Sequence, residues 1–301
     1  MSNILVIFLC LIAGVLLKYY RQVPDNAHVA LNTFVIYLAI PALALYYIPE
    51  LKLDRSLLFP VATGWILFGF SWLFFGLLGH LMGWSRKLTG ALILTGGLGN
   101  TAFVGFPLIE ALYGTEGLKT AVLIDQPGTF FIVSTLGIIV AALYSGGEIK
   151  ASIIAKKVLY FPPFIGFVIA LTMLALDLNF NATTREVFLQ LSRTITPVAL
   201  VSVGLQLKIQ LRSSHWGFLG LGLFFKLILS PLLIYFLYAI LLKQSGDVME
   251  VCVLEAAMAP MVTAAIVASA YGLKPRFSSL MLSVGIPLSL ITVLIWYWMI
   301  K

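Results

Sequence analysis

From Thr95 to Leu108 the chain reads TGGLGNTAFVGFPL, with four glycines, Asn100, Thr101 and Pro107 inside an otherwise apolar stretch. Pro107 has no N–H and clashes with the turn before it, so a helix entering at Leu88 cannot run unbroken to Tyr113. Gly96, Gly97, Gly99 and Gly105 are expected to let the backbone leave helical geometry, and they leave no side chain to fill space. Non-helical backbone at membrane depth is tolerated only where it is buried in protein or lines a wet cavity. The stretch is therefore expected to be a discontinuous helix, with the break as a binding site.

The rest of the chain supports a membrane setting. Of 301 residues, 61% are hydrophobic and 10% charged, and mean hydropathy is +1.04, which places the chain among polytopic membrane proteins. A span needs about 20 mainly apolar residues. Ten such stretches are expected, at 3–18, 27–48, 57–80, 88–113, 118–143, 158–176, 192–207, 216–242, 249–272 and 277–300, with short connections. The net charge of +7 comes from residues at span ends, not from one patch, so nucleic acid is not an expected partner. Lys18, Arg21, Arg86, Lys87, Lys150, Lys156, Lys157, Lys208, Arg212, Lys274 and Arg276 fall on one side. Lys52, Arg55, Lys119, Arg185, Arg193, Lys243 and Lys301 fall on the other. That asymmetry makes the first side cytoplasmic and puts both termini outside, in a cell (inner) membrane. No basic stretch precedes the first span, so it reads as a retained helix, not a cleaved leader. Cys10 and Cys252 lie in apolar spans and imply no disulfide framework.

The two halves match at an offset of 156 to 158 residues. Ile40-Pro41-Ala42-Leu43 has its counterpart in Thr196-Pro197-Val198-Ala199, and Tyr113-Gly114 in Tyr271-Gly272. Five spans per half is an odd number, so the halves must face opposite ways across the bilayer. The expected fold is thus an all-α membrane protein of two inverted five-helix repeats, 1–145 and 158–301, joined by a short cytoplasmic loop at 146–157. Inverted repeats are characteristic of secondary transporters.

Span 9 is then also expected to break, and Glu255-Ala-Ala-Met-Ala-Pro260-Met-Val-Thr263 supplies a mid-span proline among small residues. The second half-helices are expected to start near Phe106, with Pro107 in the first turn, and near Val262, with Thr263 satisfying free N–H groups. Each start carries about half a positive charge and unpaired donors, which suit a carboxylate. The paired C-terminal ends, near Leu98 and Ala257, offer carbonyls that suit a cation. The candidate substrate-binding residues are Gly99, Asn100, Thr101, Phe103 and Pro107 at the first break. At the second they are Met258, Pro260, Met261, Val262 and Thr263.

Intramembrane ionisable groups supply the coupling candidates. Asp125 lies roughly 12 Å into span 5, followed by Gln126 and Pro127-Gly128. It is a candidate for proton coupling, or else a fixed ion pair that joins two helices. Glu255, one turn before the second break, could ligate Na+ together with Asn100, carry a proton, or pair with Lys226. A lysine at the depth of Lys226 costs about 2.5–3.5 kcal/mol to insert, so it needs a partner. It could replace a sodium ion as a built-in cation or help hold an anionic substrate. Glu110, near the outer end of span 4, suits packing or capping as well as transport. His28, His80 and His215 sit at span ends, and the aromatics of 70–75 and 296–298 are expected to face lipid or the interface.

GGLGNTAFVGFPLIEALYG resembles the span-4 motif of the auxin efflux carrier family, whose bacterial members include malonate and other organic-acid transporters. LNTFVIYLAIPALAL and TPVALVSVGLQL resemble that family's second and seventh spans, and the likeness covers nearly the whole chain. The resemblance implies the fold of bile-acid/sodium symporters and sodium/proton antiporters. There, spans 1, 2, 6 and 7 form a scaffold, and spans 3–5 and 8–10 a mobile core with crossed broken helices. It places Asn100 where plant auxin carriers have an asparagine that contacts the substrate carboxylate, Pro107 and Pro260 near the crossover prolines, and it implies a homodimer. The short 146–157 loop departs from the long insertion of many plant members, and Met258-Ala259-Pro260 departs from an expected double proline.

The expected function is therefore secondary active transport of a small organic anion, with H+ or Na+ as coupling ion and no other cofactor. A non-transporting receptor using the same cavity is the principal rival. An enzyme is disfavoured because H-E-x-x-H, G-x-S-x-G and paired Cys/His ligands are absent from the sequence, and no ring-forming charge pattern points to a channel.

Overall fold

The structure is a computed structural model that describes residues 2–20, 23–51, 54, 57–146, 159–207 and 216–301. Most of the 146–157 loop, His215 and the basic residues Arg21, Lys52, Arg55, Lys150, Lys156, Lys157, Lys208 and Arg212 lie outside the described residues. Every described element is a helix. In order they are α1 (Ser2–Leu17), α2 (Ala27–Glu50), α3 (Leu58–Leu81), α4 (Arg86–Gly97), α5 (Thr101–Ser145) and α6 (Pro162–Ala175). There follow α7 (Ala182–Arg193), α8 (Ile195–Gln206), α9 (Trp216–Leu241), α10 (Asp247–Ala256), α11 (Val262–Ala270) and α12 (Pro275–Ile300).

Six helical stretches among the described residues are long and apolar enough to cross a membrane: α2, α3, α5, α7 with α8, α9 and α12. Expected spans 4 and 9 are not full-length helices, because α4 stops at Gly97 and α10 at Ala256. Expected spans 1 and 6 are shorter apolar helices, Leu5–Leu17 and Pro162–Ala175. The 45-residue α5 contains a turn at Gly114, with φ 65° and ψ −155°, a conformation that strains any side chain bearing a Cβ. Gly272, which the sequence match aligns with Gly114, has φ 67°.

The chain divides into two compact units, each drawn from both of its halves. One comprises Met1–Arg55, Ala102–Val122 and Lys156–Leu207, and the other Ser56–Thr101, Leu123–Ala155 and Lys208–Lys301. The resemblance implies a scaffold of spans 1, 2, 6 and 7, whereas the first unit also takes in Ala102–Val122, which holds the second half of expected span 4 and the start of expected span 5.

In the first unit α1 and α8 touch backbone to backbone. A Cβ on Gly14 would stand 2.2 Å from the Val201 carbonyl oxygen, and one on Gly204 would stand 2.4 Å from that of Leu11. Small residues permit such approach where lipid supplies no hydrophobic drive between helices. Lys18 donates to the Leu207 carbonyl at 2.7 Å and so satisfies the end of α8. Residues 177–191, expected to be only a connection, instead contain most of α7. Asn181 caps it by accepting from the Thr184 N–H at 2.8 Å. Arg185 pairs with Glu50 and lies over the Tyr46 ring, 5.1 Å from its centroid.

In the second unit, Leu92, Ile93 and Leu94 of α4 are buried with Leu223 and Phe225 of α9, Ala264 and Ala268 of α11, and Phe277 and Met281 of α12. Phe75 of α3 is fully buried, and Phe70 stacks on Phe225 with ring centroids 5.1 Å apart. Trp296 is buried and donates to the Leu227 carbonyl at 3.0 Å, while Trp298 is 79% exposed. The expectation that the 70–75 and 296–298 aromatics face lipid therefore fails for Phe75 and Trp296. Phe75 fills the volume beside Gly96 of α4, where a Cβ would stand 2.7 Å from its ring.

Prolines leave a common signature. Wide π-helical turns at Val35–Ala39, Thr101–Gly105 and Phe225–Leu229 run just ahead of Pro41, Pro107 and Pro231, and another at Asp125–Phe130 contains Pro127. A widened turn relieves the clash between a proline ring and the carbonyl four residues before it, and shifts the missing hydrogen bond.

Candidate functional site

The site lies in the second unit, where the two interruptions meet. After Gly97 the backbone turns extended at Leu98, with φ −111° and ψ 121°. After Ala256 it leaves the helix and is again extended at Met261, with φ −69° and ψ 130°. The two extended pieces pair as an isolated antiparallel bridge between Gly99 and Pro260. The Asn100 N–H donates to the Ala259 carbonyl at 2.7 Å, and the Met261 N–H donates to the Leu98 carbonyl at 2.9 Å. Each break thus supplies the hydrogen-bond partners that the other lacks, as buried backbone requires.

The glycines act through space and not through φ. The helix ends at Gly97 and Gly99 lies in the extended bridge, so the backbone leaves helical geometry here, yet none of Gly96, Gly97, Gly99 and Gly105 has a positive φ. A Cβ on Gly97 would stand 2.8 Å from the Ser71 Cβ, and one on Gly96 2.7 Å from the Phe75 ring. A Cβ on Gly99 would stand 3.1 Å from the Lys226 Nζ and 3.3 Å from the Glu255 carbonyl oxygen.

Six polar residues from separate parts of the chain are gathered here. Thr101 donates its hydroxyl to Asp125 Oδ1 at 2.5 Å, and Gln126 Nε2 donates to Asp125 Oδ2 at 2.8 Å. Lys226, fully buried in the π turn of α9, donates from Nζ to the Ala256 carbonyl at 3.1 Å. Glu255 is 1% exposed, and neither carboxylate oxygen has a hydrogen-bond partner. Its charged neighbours are Asp125 and Lys226. Asn100 is buried beside this set.

Met258, Pro260, Met261 and Val262 are also buried around the second break, and Thr263 is half-buried. Thr263 does not take the capping position expected of it. Met261 occupies that position without a side-chain hydrogen bond and the helix already begins at Val262, so Thr263 stands inside the first turn. The first break resumes as helix at Thr101, five residues before the expected start at Phe106, because a π turn carries the chain into Pro107. Phe103 and Pro107 fall in the first unit.

There Pro107 lines a cavity of about 190 Å³ with Val6, Glu110, Arg193, Thr196 and Pro197. The Thr196 hydroxyl donates to Glu110 Oε2 at 3.1 Å. In the sequence Arg193 reads only as a surface charge and Thr196-Pro197 only as a repeat match. Their convergence on Glu110 joins residues far apart in the chain, with no local signal beyond the intramembrane glutamate itself. A larger cleft of about 440 Å³, lined by His80, Trp84, Arg86 and Tyr144, opens at the start of α4. That is roughly 18 Å along the helix axis from the break, and its Arg86 already donates to the Leu143 carbonyl.

Among the described residues, no three His, Cys, Asp or Glu side chains are grouped to hold a metal ion. What the crossing brings together is a set of buried ionisable and amide side chains at two helix ends. A family model described as membrane transport protein matches residues 1–297. The chain belongs to that family. It is the auxin efflux carrier family to which the GGLGNTAFVGFPL motif pointed. An uncharacterized transporter of Methanocaldococcus jannaschii is 25% identical over 310 residues, covering 100% of this chain and 98% of that protein. An uncharacterized transporter of Methanothermobacter thermautotrophicus is 26% identical over 307 residues, covering 98% and 96%. The membrane transport family and both relatives are named for transport and not for catalysis, in keeping with a chain built of apolar helices.

Proposed function

We propose that this chain is a secondary active transporter that moves a small organic anion, a mono- or dicarboxylate, by alternating access. The observation that carries the reading is the pair of backbone hydrogen bonds by which two interrupted helices meet at Gly99 and Pro260, inside a membrane transport protein. A broken pair of helices puts main-chain donors and acceptors at membrane depth, where a continuous helix offers none. The carboxylate sits against Asn100, Thr101 and the uncapped start of α11, with Thr263 in that first turn, and backbone N–H groups supply a complementary partial charge. Asp125, Gln126, Lys226 and Glu255 form the coupling set.

The full topology belongs to the same reading: ten membrane segments in two inverted repeats, both termini on the non-cytoplasmic face of a cell membrane, and a homodimer as the family resemblance implies. The matching left-handed turns at Gly114 and Gly272 support the repeat. The test is counterflow. Purified protein in liposomes preloaded with unlabelled mono- or dicarboxylates is expected to exchange a labelled one saturably, faster than protein-free vesicles. Saturable binding with no exchange for any member of the panel would make the protein a receptor.

A further inference from the structure

We propose that Lys226 is a tethered cation occupying the place of a coupling metal ion at the second break, and that Glu255 carries the coupled proton. This rests on the reading of the crossing as a transport site. At the end of α10 the Val253 and Leu254 carbonyls accept from the Ala257 N–H and the Glu255 carbonyl from the Met258 N–H, which leaves the Ala256 carbonyl at the negative end of the helix dipole. Such an end recruits a cation, and the structure shows which one: the Lys226 Nζ bonds the Ala256 carbonyl at 3.1 Å. Gly99 makes the room, since a Cβ there would stand 3.1 Å from that nitrogen. A sodium ion asks for the same oxygens, and two unit positive charges within a few ångströms repel. With the ammonium in place, that position has no use for sodium.

The proton follows from how the two carboxylates are held. Asp125 receives hydrogen bonds from Thr101 and Gln126, so each of its carboxylate oxygens has a donor. Glu255 receives no hydrogen bond although fully buried, and a buried charge without donors is costly. The charged groups facing it are Asp125 from α5 and Lys226 from α9, and the titratable neighbour on its own helix is Cys252. Among these, Glu255 is the group whose proton can leave and return as Lys226 and its surroundings shift.

The test uses the full chain, purified, and needs no knowledge of the substrate. The unfolding temperature of the wild type is expected to be the same in sodium chloride as in choline chloride. Lys226→Ser, or Lys226→Gln where serine does not fold, is expected to gain a sodium-specific stabilisation of several degrees. Glu255→Gln is expected to flatten the pH dependence of unfolding and, in liposomes, to lower proton-gradient-driven accumulation about tenfold or more, the equivalent of about 1.4 kcal/mol. Sodium-specific stabilisation of the wild type, or an unchanged pH profile in Glu255→Gln, would overturn the assignment. Absence of carboxylate exchange by the wild type, with the thermal results as expected, would instead sink the transport reading and leave the tethered cation standing.

Discussion

Replacing Asn100 with alanine is expected to weaken carboxylate exchange and binding roughly ten- to hundredfold while leaving the fold in place. The separation of these effects comes from which atoms hold the crossing. Asn100 contributes its backbone N–H to the Ala259 carbonyl, and Met261 contributes its own to Leu98. Neither bond involves a side chain, so alanine keeps both. What alanine removes is the amide, which can donate to a carboxylate, and hydrogen bonds to charged groups contribute about 1.5–3 kcal/mol. At about 1.4 kcal/mol per factor of ten, that is the predicted loss in affinity. The measurement is the concentration dependence of counterflow in wild type and variant, with unfolding temperature as the control. A variant with unchanged half-saturation would place the ligand elsewhere, and the cavity around Glu110, Arg193 and Thr196 would be the alternative.

The second large effect is on stability. Thr101→Val keeps the side-chain shape and deletes the hydroxyl that donates to Asp125 at 2.5 Å. Asp125 is 1% exposed, so water is not available as a replacement donor. Leaving a buried group short of a partner costs about 1–3 kcal/mol, and more when the group is charged. Thr101→Ser restores the donor and is expected to recover most of the loss. Thermal unfolding of the three proteins in one detergent checks this. Equal stability of the valine and serine variants would mean that the Thr101–Asp125 bond contributes nothing to the folded state.

Both experiments act on a place that local sequence located well. The expected helix ends near Leu98 and Ala257 and the expected restart near Val262 fall within a residue of the observed ones, because proline and small-residue clusters act through local backbone sterics. The other restart is displaced to Thr101, since the π turn ahead of Pro107 is an adjustment that the proline alone does not announce. Gly96, Gly97 and Gly99 were legible as residues that leave space, but the neighbours that use it were not. These glycines make room for Ser71, Phe75 and Lys226, neighbours supplied by other helices.

The same limit governs the polar groups. Asp125, Lys226 and Glu255 stood out as ionisable residues in apolar sequence. That Thr101 donates to the first, that Ala256 receives the second and that nothing donates to the third are facts of packing between helices. α7 could have been read locally from Asn181 as a capping residue, but the polar composition of 177–191 resembles that of a loop.

The most direct test of the central claim is an experimental density map of the purified protein with whichever carboxylate exchanges best in counterflow. Density for that carboxylate is expected at the Asn100 side chain and the start of α11, beside paired extended segments at Gly99 and Pro260. Helices running unbroken through 97–101 and 256–262, or a carboxylate bound away from the crossing, would contradict it.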